Sequence, residues 1–368
     1  MAKQAYIGVN GIARKIKKGY IGIDNVARKI KKAYIGIGGV ARPCWSGAGL
    51  DYYGTITELS NARSELAATA IGNYALFGGG SKSATTVDAY DTSLTHSIPA
   101  ALSESKFDLA ATAIGNYALF GGGYFNSTAK SMVDAYDTSL TRSTPTALSV
   151  GRKVWATSVG NYALFGGGYL SSGASATVDA YDTSLTRSTP TALSTSRYDL
   201  AATTIGSHAL FGGGNNDSSS VTTVDAYDTS LTHSTPTALS VGRYSLAATA
   251  IGNYALFGGG NTTSSSKYTN VVDAYDTSLT HSTPTTLKTS RSGLAATTIG
   301  KYALFGGGKK TISTVDAYDT SLTHSTPTAL SVGRYSLAAT AIGKYALFGG
   351  GYNGSTFAVV DAYVYIPE

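Results

Sequence analysis

Four of the five histidines, His96, His233, His281 and His324, recur at one place in a repeating unit, where two further copies carry Arg142 and Arg187. Histidines in register are what metal centres and proton relays are built from. Arginine is no metal ligand, however, and one histidine per unit scatters the ring nitrogens instead of converging them. No metal is expected. A second basic set, Arg63, Lys106, Arg152, Arg197, Arg243, Arg291 and Arg334, also occurs once per unit. As a ring it could hold an anion. The expected use is structural, in pairs with groups of the neighbouring unit, and the repeated Asp88-type carboxylates supply partners. The lone cysteine, Cys44, excludes an intramolecular disulfide or multi-cysteine zinc site and fits assembly in a reducing cytosol. No Ser-His-Asp arrangement or carboxylate pair stands out from the repeat background. The glycine triplets lack the Gly-Lys-Ser/Thr that a phosphate loop requires. Neither catalysis nor a cofactor is expected.

Recognition is the chemistry these residue types do suit. The copies differ from one another in two places, just after each glycine triplet and just after each residue of the second basic set. Those places hold Phe107, Tyr124, Phe125, Asn126, Tyr169, Tyr198, Asn215, Asn216, Asp217, Tyr244, Tyr268, Tyr335, Tyr352 and Asn353. Aromatic rings stack on the C–H faces of sugars, and amides and carboxylates hydrogen-bond their hydroxyls. Variable aromatic and amide loops on a rigid scaffold are what binding surfaces use. Trp155 lies near the start of a strand that is one residue short. It is expected to fill the gap, with saccharide stacking as the functional alternative.

The elements that position these residues follow from repetition. Seven Ala-Leu-Phe-Gly-Gly-Gly motifs place phenylalanines at Phe77, Phe120, Phe165, Phe211, Phe257, Phe305 and Phe348, spaced 43 to 48 residues apart. A Val-Asp-Ala-Tyr motif follows each. Every unit reads as four short strands: a, as at Leu66–Ile71; b, as at Tyr74–Phe77; c, as at Thr86–Tyr90; and d, as at Thr144–Leu148. Four strands per unit, seven times over, predict an all-β, seven-bladed β-propeller over residues 54–368. Strand a, rich in Ala and Thr, belongs innermost; the prolines of strand d belong on the outer edge. The chain ends after a strand c, and an unpartnered strand d at Thr55–Leu59 precedes the first unit. That segment is expected to complete the seventh blade and close the ring. Length variation falls almost wholly between the glycine triplet and the next Val, in loops of 6 to 11 residues. Loops b–c and connections d–a share one face, so one face is diversified and the other uniform.

Residues 1–45 are different. They hold ten of the 28 Lys/Arg and one of the 22 acids, Asp24, giving +9 there and −3 elsewhere. A 14-residue repeat centres on Asn10-Gly11, Asp24-Asn25 and Gly38-Gly39, the strongest short-range signal for tight hairpins. Three such hairpins bury little by themselves and suit an anchoring domain, with Arg14, Lys15, Lys17, Arg28, Lys29 and Lys31 as its basic contacts; residues 46–53 read as a linker. The sequence has no uninterrupted apolar run long enough to span a bilayer and no secretory leader, so no membrane insertion is expected.

The glycine group after an apolar strand, the tyrosine some dozen residues on, and the basic residue opening the next unit resemble the kelch family of β-propellers. The likeness covers about 315 residues, although Thr-Ser-Leu-Thr stands where kelch repeats carry tryptophan. The Ala-Arg-Lys-Ile-Lys-Lys-Ala-Tyr-Ile-Gly repeats are similar to segments of tail and other virion proteins of phages infecting Gram-positive bacteria. Together the resemblances imply a non-enzymatic virion protein (tail fibre, baseplate or head decoration) assembled in the bacterial cytoplasm. Its first domain would join other virion proteins and its loops would bind host surface glycan or protein, with no role for nucleic acid. An intracellular interaction scaffold and a glycan-cleaving propeller are the alternatives. A homo-oligomer is compatible with this, although no coiled-coil heptads declare one.

Overall fold

A computed structural model describes residues 49–367 apart from 83–84, 264–266 and 310, together with the backbone of six strands within residues 1–48. Seven four-stranded antiparallel sheets are present, each in the order a-b-c-d. In the fourth blade a is Ala201–Ile205, b His208–Gly212, c Val224–Asp228 and d His233–Ser234. Each strand a packs against strand a of the blades on either side, and the seventh returns to the first. The ring is closed, and the fold is a seven-bladed β-propeller.

The residue types explain the packing. Alanines and threonines of strand a let seven strands converge where space is least. Strand b carries the first glycine of the triplet against the next blade's phenylalanine. A Cβ on Gly78 would lie 2.7 Å from the Phe120 ring, and one on Gly212 2.7 Å from Phe257. The same contact recurs around the ring to Gly349 and Phe77. Each phenylalanine is fully buried and stands edge-to-face on the tyrosine of its own strand c, as Phe211 does on Tyr227 at 6.0 Å. That tyrosine reaches back to the preceding blade: Tyr227 Oη donates to the Thr191 carbonyl at 2.7 Å. Seven separate interblade cores result.

Two expectations need correcting. Strand d is a two-residue element, Arg142–Ser143 in the second blade, ahead of the predicted Thr144–Leu148, which is irregular. Only the two residues facing strand c join the ladder; the proline that follows them offers no N–H to extend it. Ring closure does use an N-terminal outer strand, but it is Gly49–Thr55, not Thr55–Leu59. It pairs antiparallel with Val360–Ile366, from Thr55 opposite Asp361 to Gly49 opposite Ile366. Most of the stretch read as a linker, 46–53, is therefore sheet, and the propeller begins before residue 54. The aromatic pair Tyr52 and Tyr53 explains this: Tyr52 packs on Tyr363 at 5.3 Å and Tyr53 on Tyr345 at 5.1 Å.

Ahead of the ring, three two-stranded ladders pair Tyr6–Val9 with Ile12–Lys15, Gly19–Ile23 with Val26–Ile30, and Lys32–Ile37 with Val40–Ser46. The central dipeptides Asn10-Gly11, Asp24-Asn25 and Gly38-Gly39 lie outside the described residues. So do Lys17 and Lys31 and the side chains of Arg14, Lys15, Arg28 and Lys29.

Candidate functional site

The two variable positions of each blade meet through backbone pairing. Antiparallel bridges join Phe107 to Tyr124, Tyr198 to Asn215, Tyr244 to Asn261 and Tyr335 to Tyr352. Connection d–a thus runs beside the start of loop b–c, which brings the predicted rings together at one end of the ring. Phe107 and Tyr124 are 6.3 Å apart, Tyr335 and Tyr352 5.6 Å, and Tyr169 meets Tyr198 across the third and fourth blades at 4.9 Å. All of these rings are half-buried, with one side packed on the scaffold.

The amides behave differently. Asn126 and Ser127 take left-handed φ of 48° and 58° in the turn between Tyr124–Phe125 and Thr128–Ala129. Asn215 Oδ1 accepts from the Asp217 N–H at 2.9 Å, and Asn216 Oδ1 accepts from the Ser218 and Ser219 N–H groups. Asp217 Oδ2 accepts from the Ala174 N–H of the third blade at 2.8 Å. Asn353 donates to the Gly333 carbonyl at 2.8 Å. These polar atoms close and brace the loops, as Asn and Asp do in turns. Tyr268 pairs with Asn261, which is 3% exposed, and Lys267 stands 5.6 Å over the Tyr268 ring.

The second basic set is not an anion ring. Each member is fully buried and bonded to the strand-c aspartate of its own blade, not to a neighbouring blade. Arg63 meets Asp88 at 2.5 Å and also donates to the Phe77 carbonyl; Lys106 meets Asp134 at 2.8 Å. The same aspartates receive the recurring histidines and arginines: His96 Nε2 is 2.6 Å from Asp88 Oδ1, and Arg142 donates to Asp134 at 2.9 Å. In the seventh blade the closing strand supplies Tyr52, whose hydroxyl donates to Asp361 at 2.6 Å. Burial alone would raise the Asp88 carboxyl, but Arg63, the Ser60 N–H and His96 outweigh it and hold the pKa below the ordinary range. The carbonyl of each basic residue meanwhile accepts from the third triplet glycine of the preceding blade, as Arg243 does from Gly214 at 2.8 Å. One residue therefore braces its own blade through its side chain and the previous blade through its backbone.

The sequence reading missed a second ring of residues one place further along connection d–a. Glu65, Asp108, Asp199, Ser245, Gly293 and Ser336 all adopt left-handed φ, between 51° and 64°. Their backbones link blade to blade: Asp108 N–H to the Glu65 carbonyl, Glu65 N–H to Ser336, Ser336 N–H to Gly293, Gly293 N–H to Ser245, and Ser245 N–H to Asp199. The third blade breaks this belt. Its connection is one residue shorter, and Lys153 enters strand a (Lys153–Val159) directly. Lys153 instead forms an ion pair with Asp108 and stands over the rings of Phe107 and Tyr124, at 6.0 and 5.6 Å. Trp155 takes the register position that alanine holds elsewhere, opposite Gly166. It packs against the core between the third and fourth blades and also lines a cavity of about 270 Å³ with Glu65, Asp108 and Ser336. A signal for this second ring existed in the sequence, because acids stand there in three copies and Ser or Gly in three others.

No protein-family model and no curated protein matches the sequence. Among solved structures the chain is similar to the one titled "Structure of YjhT", with a TM-score of 0.56 and 12% identity over 83% of this chain and 95% of that one. At that identity the likeness shows the fold alone.

Proposed function

We propose that the chain is a non-enzymatic adhesion and structural protein of a phage particle, attached by residues 1–45 and binding host surface glycan or protein through the loop face of its propeller. The observation that carries the binding half is the pairing of the two variable positions. Diversity in the sequence and convergence in space coincide at Phe107 with Tyr124, Tyr198 with Tyr169, and Tyr335 with Tyr352. The Asp-Thr-Ser-Leu-Thr turns of the other face stay uniform, so the diversity is confined to the face on which these rings meet. Half-buried rings lose little further freedom on stacking against a sugar, which favours them as contacts. The virion half rests on the likeness of the N-terminal repeats to phage tail segments. The kelch-like repeat supports an interaction module, and the bracing of the loop amides supports a preformed surface.

The test is mass spectrometry on gradient-purified phage particles, joined to adsorption of the purified protein to host cells. Stoichiometric presence in particles, with adsorption reduced about tenfold or more by Tyr124→Ala with Tyr335→Ala, is the expected result. Abundance in cytosol and absence from particles would favour the scaffold reading. Release of sugar from host glycan by the purified protein would favour the enzyme.

A further inference from the structure

We infer that the channel mouth on the loop face is a subsite for an ammonium group, so that the ligand is an amine-bearing glycan or polymer. This deepens the proposed glycan-binding function and rests on it. Three independent features meet there. The first is a cavity of about 270 Å³, walled by the starts of strands a in the first three blades and by Trp155. It opens where the belt of blade-to-blade backbone bonds is interrupted at the third blade. The second is charge: Glu65 and Asp108 line the cavity and Asp199 lies alongside, coupled electrostatically to Asp108 and Lys153. Lys153 is the ammonium bonded among these carboxylates, Lys309 acts on Asp199 as well, and the corresponding places in the other blades are Ser245, Gly293 and Ser336. The third is precedent within the molecule. Lys153 already sets its own ammonium against Asp108 and the Phe107 and Tyr124 rings. That is the aromatic and carboxylate surrounding a cationic ligand takes up.

Lys153 bonds directly to Asp108; Asp199 accepts from the Ser245 hydroxyl at 3.2 Å, and Glu65 lines the cavity. Burial raises the Glu65 carboxyl, Asp108 adds to this and Lys153 opposes it; Asp199 is raised for the same reasons, with Ser245 and Lys309 also opposing. A bound cation would relieve that repulsion, and Trp155, which lines the cavity, supplies an aromatic ring beside it.

The test measures binding of choline, whose charge does not titrate, and of glucosamine to the full chain by ligand-observed saturation-transfer NMR and calorimetry. Glucose and N-acetylglucosamine serve as neutral counterparts. The expected result is binding of both cations and neither neutral sugar, weakened about five- to tenfold by Glu65→Gln, Asp199→Asn or Trp155→Ala. Choline binding should also fall with decreasing pH as Glu65 and Asp199 take up protons. The two isosteric carboxylate variants guard against misfolding, which circular dichroism checks. Equal binding of glucose and glucosamine, or cation binding unchanged in E65Q and D199N, would overturn the inference. Adsorption to host cells with no binding of either cation would overturn it while leaving the loop-face reading in place. Cation binding by a protein absent from particles would support the subsite and remove the virion role.

Discussion

Arg197 and Asp225 show how one buried pair organises a blade. They meet at 2.6 Å with both side chains fully buried, and the aspartate also takes the Ser194 N–H and His233. Removing one partner strands a buried charge, so Asp225→Ala should cost about 3–5 kcal/mol in chemical denaturation. His233→Ala should cost about 1 kcal/mol, because it deletes one hydrogen bond to a carboxylate that keeps its other donors. The pH dependence follows in sign. Asp88, Asp134, Asp225 and Asp273 are held below the ordinary carboxylate range. Their contribution is present above the unfolded-state pKa and is lost as pH falls through the depressed folded values, so unfolding should set in below the usual carboxylate range. Glu65 and Asp199 act oppositely: their raised pKa makes ionisation in the folded state costly at neutral pH. Asp199→Asn should therefore raise Tm at neutral pH, and the gain should vanish on acidification. Scanning calorimetry of both proteins against pH checks both signs.

At the scale of the strand, the limiting resource is space between blades. The first triplet glycine admits the next blade's phenylalanine, and Gly212→Ala should cost about 1–3 kcal/mol by overpacking against Phe257. The c–d turn accepts strain of its own. Leu94, Leu140, Leu185, Leu231, Leu279 and Leu322 hold left-handed φ of 60° to 65°. Such a conformation costs roughly 1–2 kcal/mol, and packing of the leucine against the interblade core offsets it. The third blade departs from the others at the loop-face end of its sheet, in strand a and in the b–c hairpin alike. Strands Tyr162–Leu170 and Gly173–Asp182 extend as a continuous hairpin beyond the ladder of the other blades. Inserting one serine between Lys153 and Val154 together with Trp155→Ala should restore the backbone belt. The expected result is a higher Tm and loss of cation binding at the mouth, read by calorimetry.

Seven blades closed by a strand from the other end of the chain make the whole ring depend on one ladder. A chain starting at Gly49 should keep the Tm of the full protein. One starting at Ile56 loses the pairing with Val360–Ile366 and the Tyr52 bond to Asp361, and leaves an unpaired edge. It should unfold at lower temperature and associate through that edge, visible in size-exclusion chromatography. Both truncations remove residues 1–45, so their difference isolates closure from anchoring.

Blade number, strand order, the inner place of Ala-Thr strands and the face carrying the variable loops were all legible in the sequence, because each is a consequence of periodicity. Seven copies of Phe-Gly-Gly-Gly fix seven sheets, and a loop of constant length cannot move its strands. The partner of Arg63 was legible in kind, since a buried guanidinium requires a carboxylate, but not in place. Only the tertiary structure decided that Asp88 of the same blade, and not a neighbour, meets it. Only the tertiary structure exposed the second belt at Glu65, Asp108 and Asp199, for these acids lie more than 40 residues apart and are joined by the closure of the ring. The closing strand itself was misplaced by six residues for a related reason. Periodicity locates a strand within its own unit, whereas Gly49–Thr55 is selected by the edge that Val360–Ile366 offers across the full length of the chain.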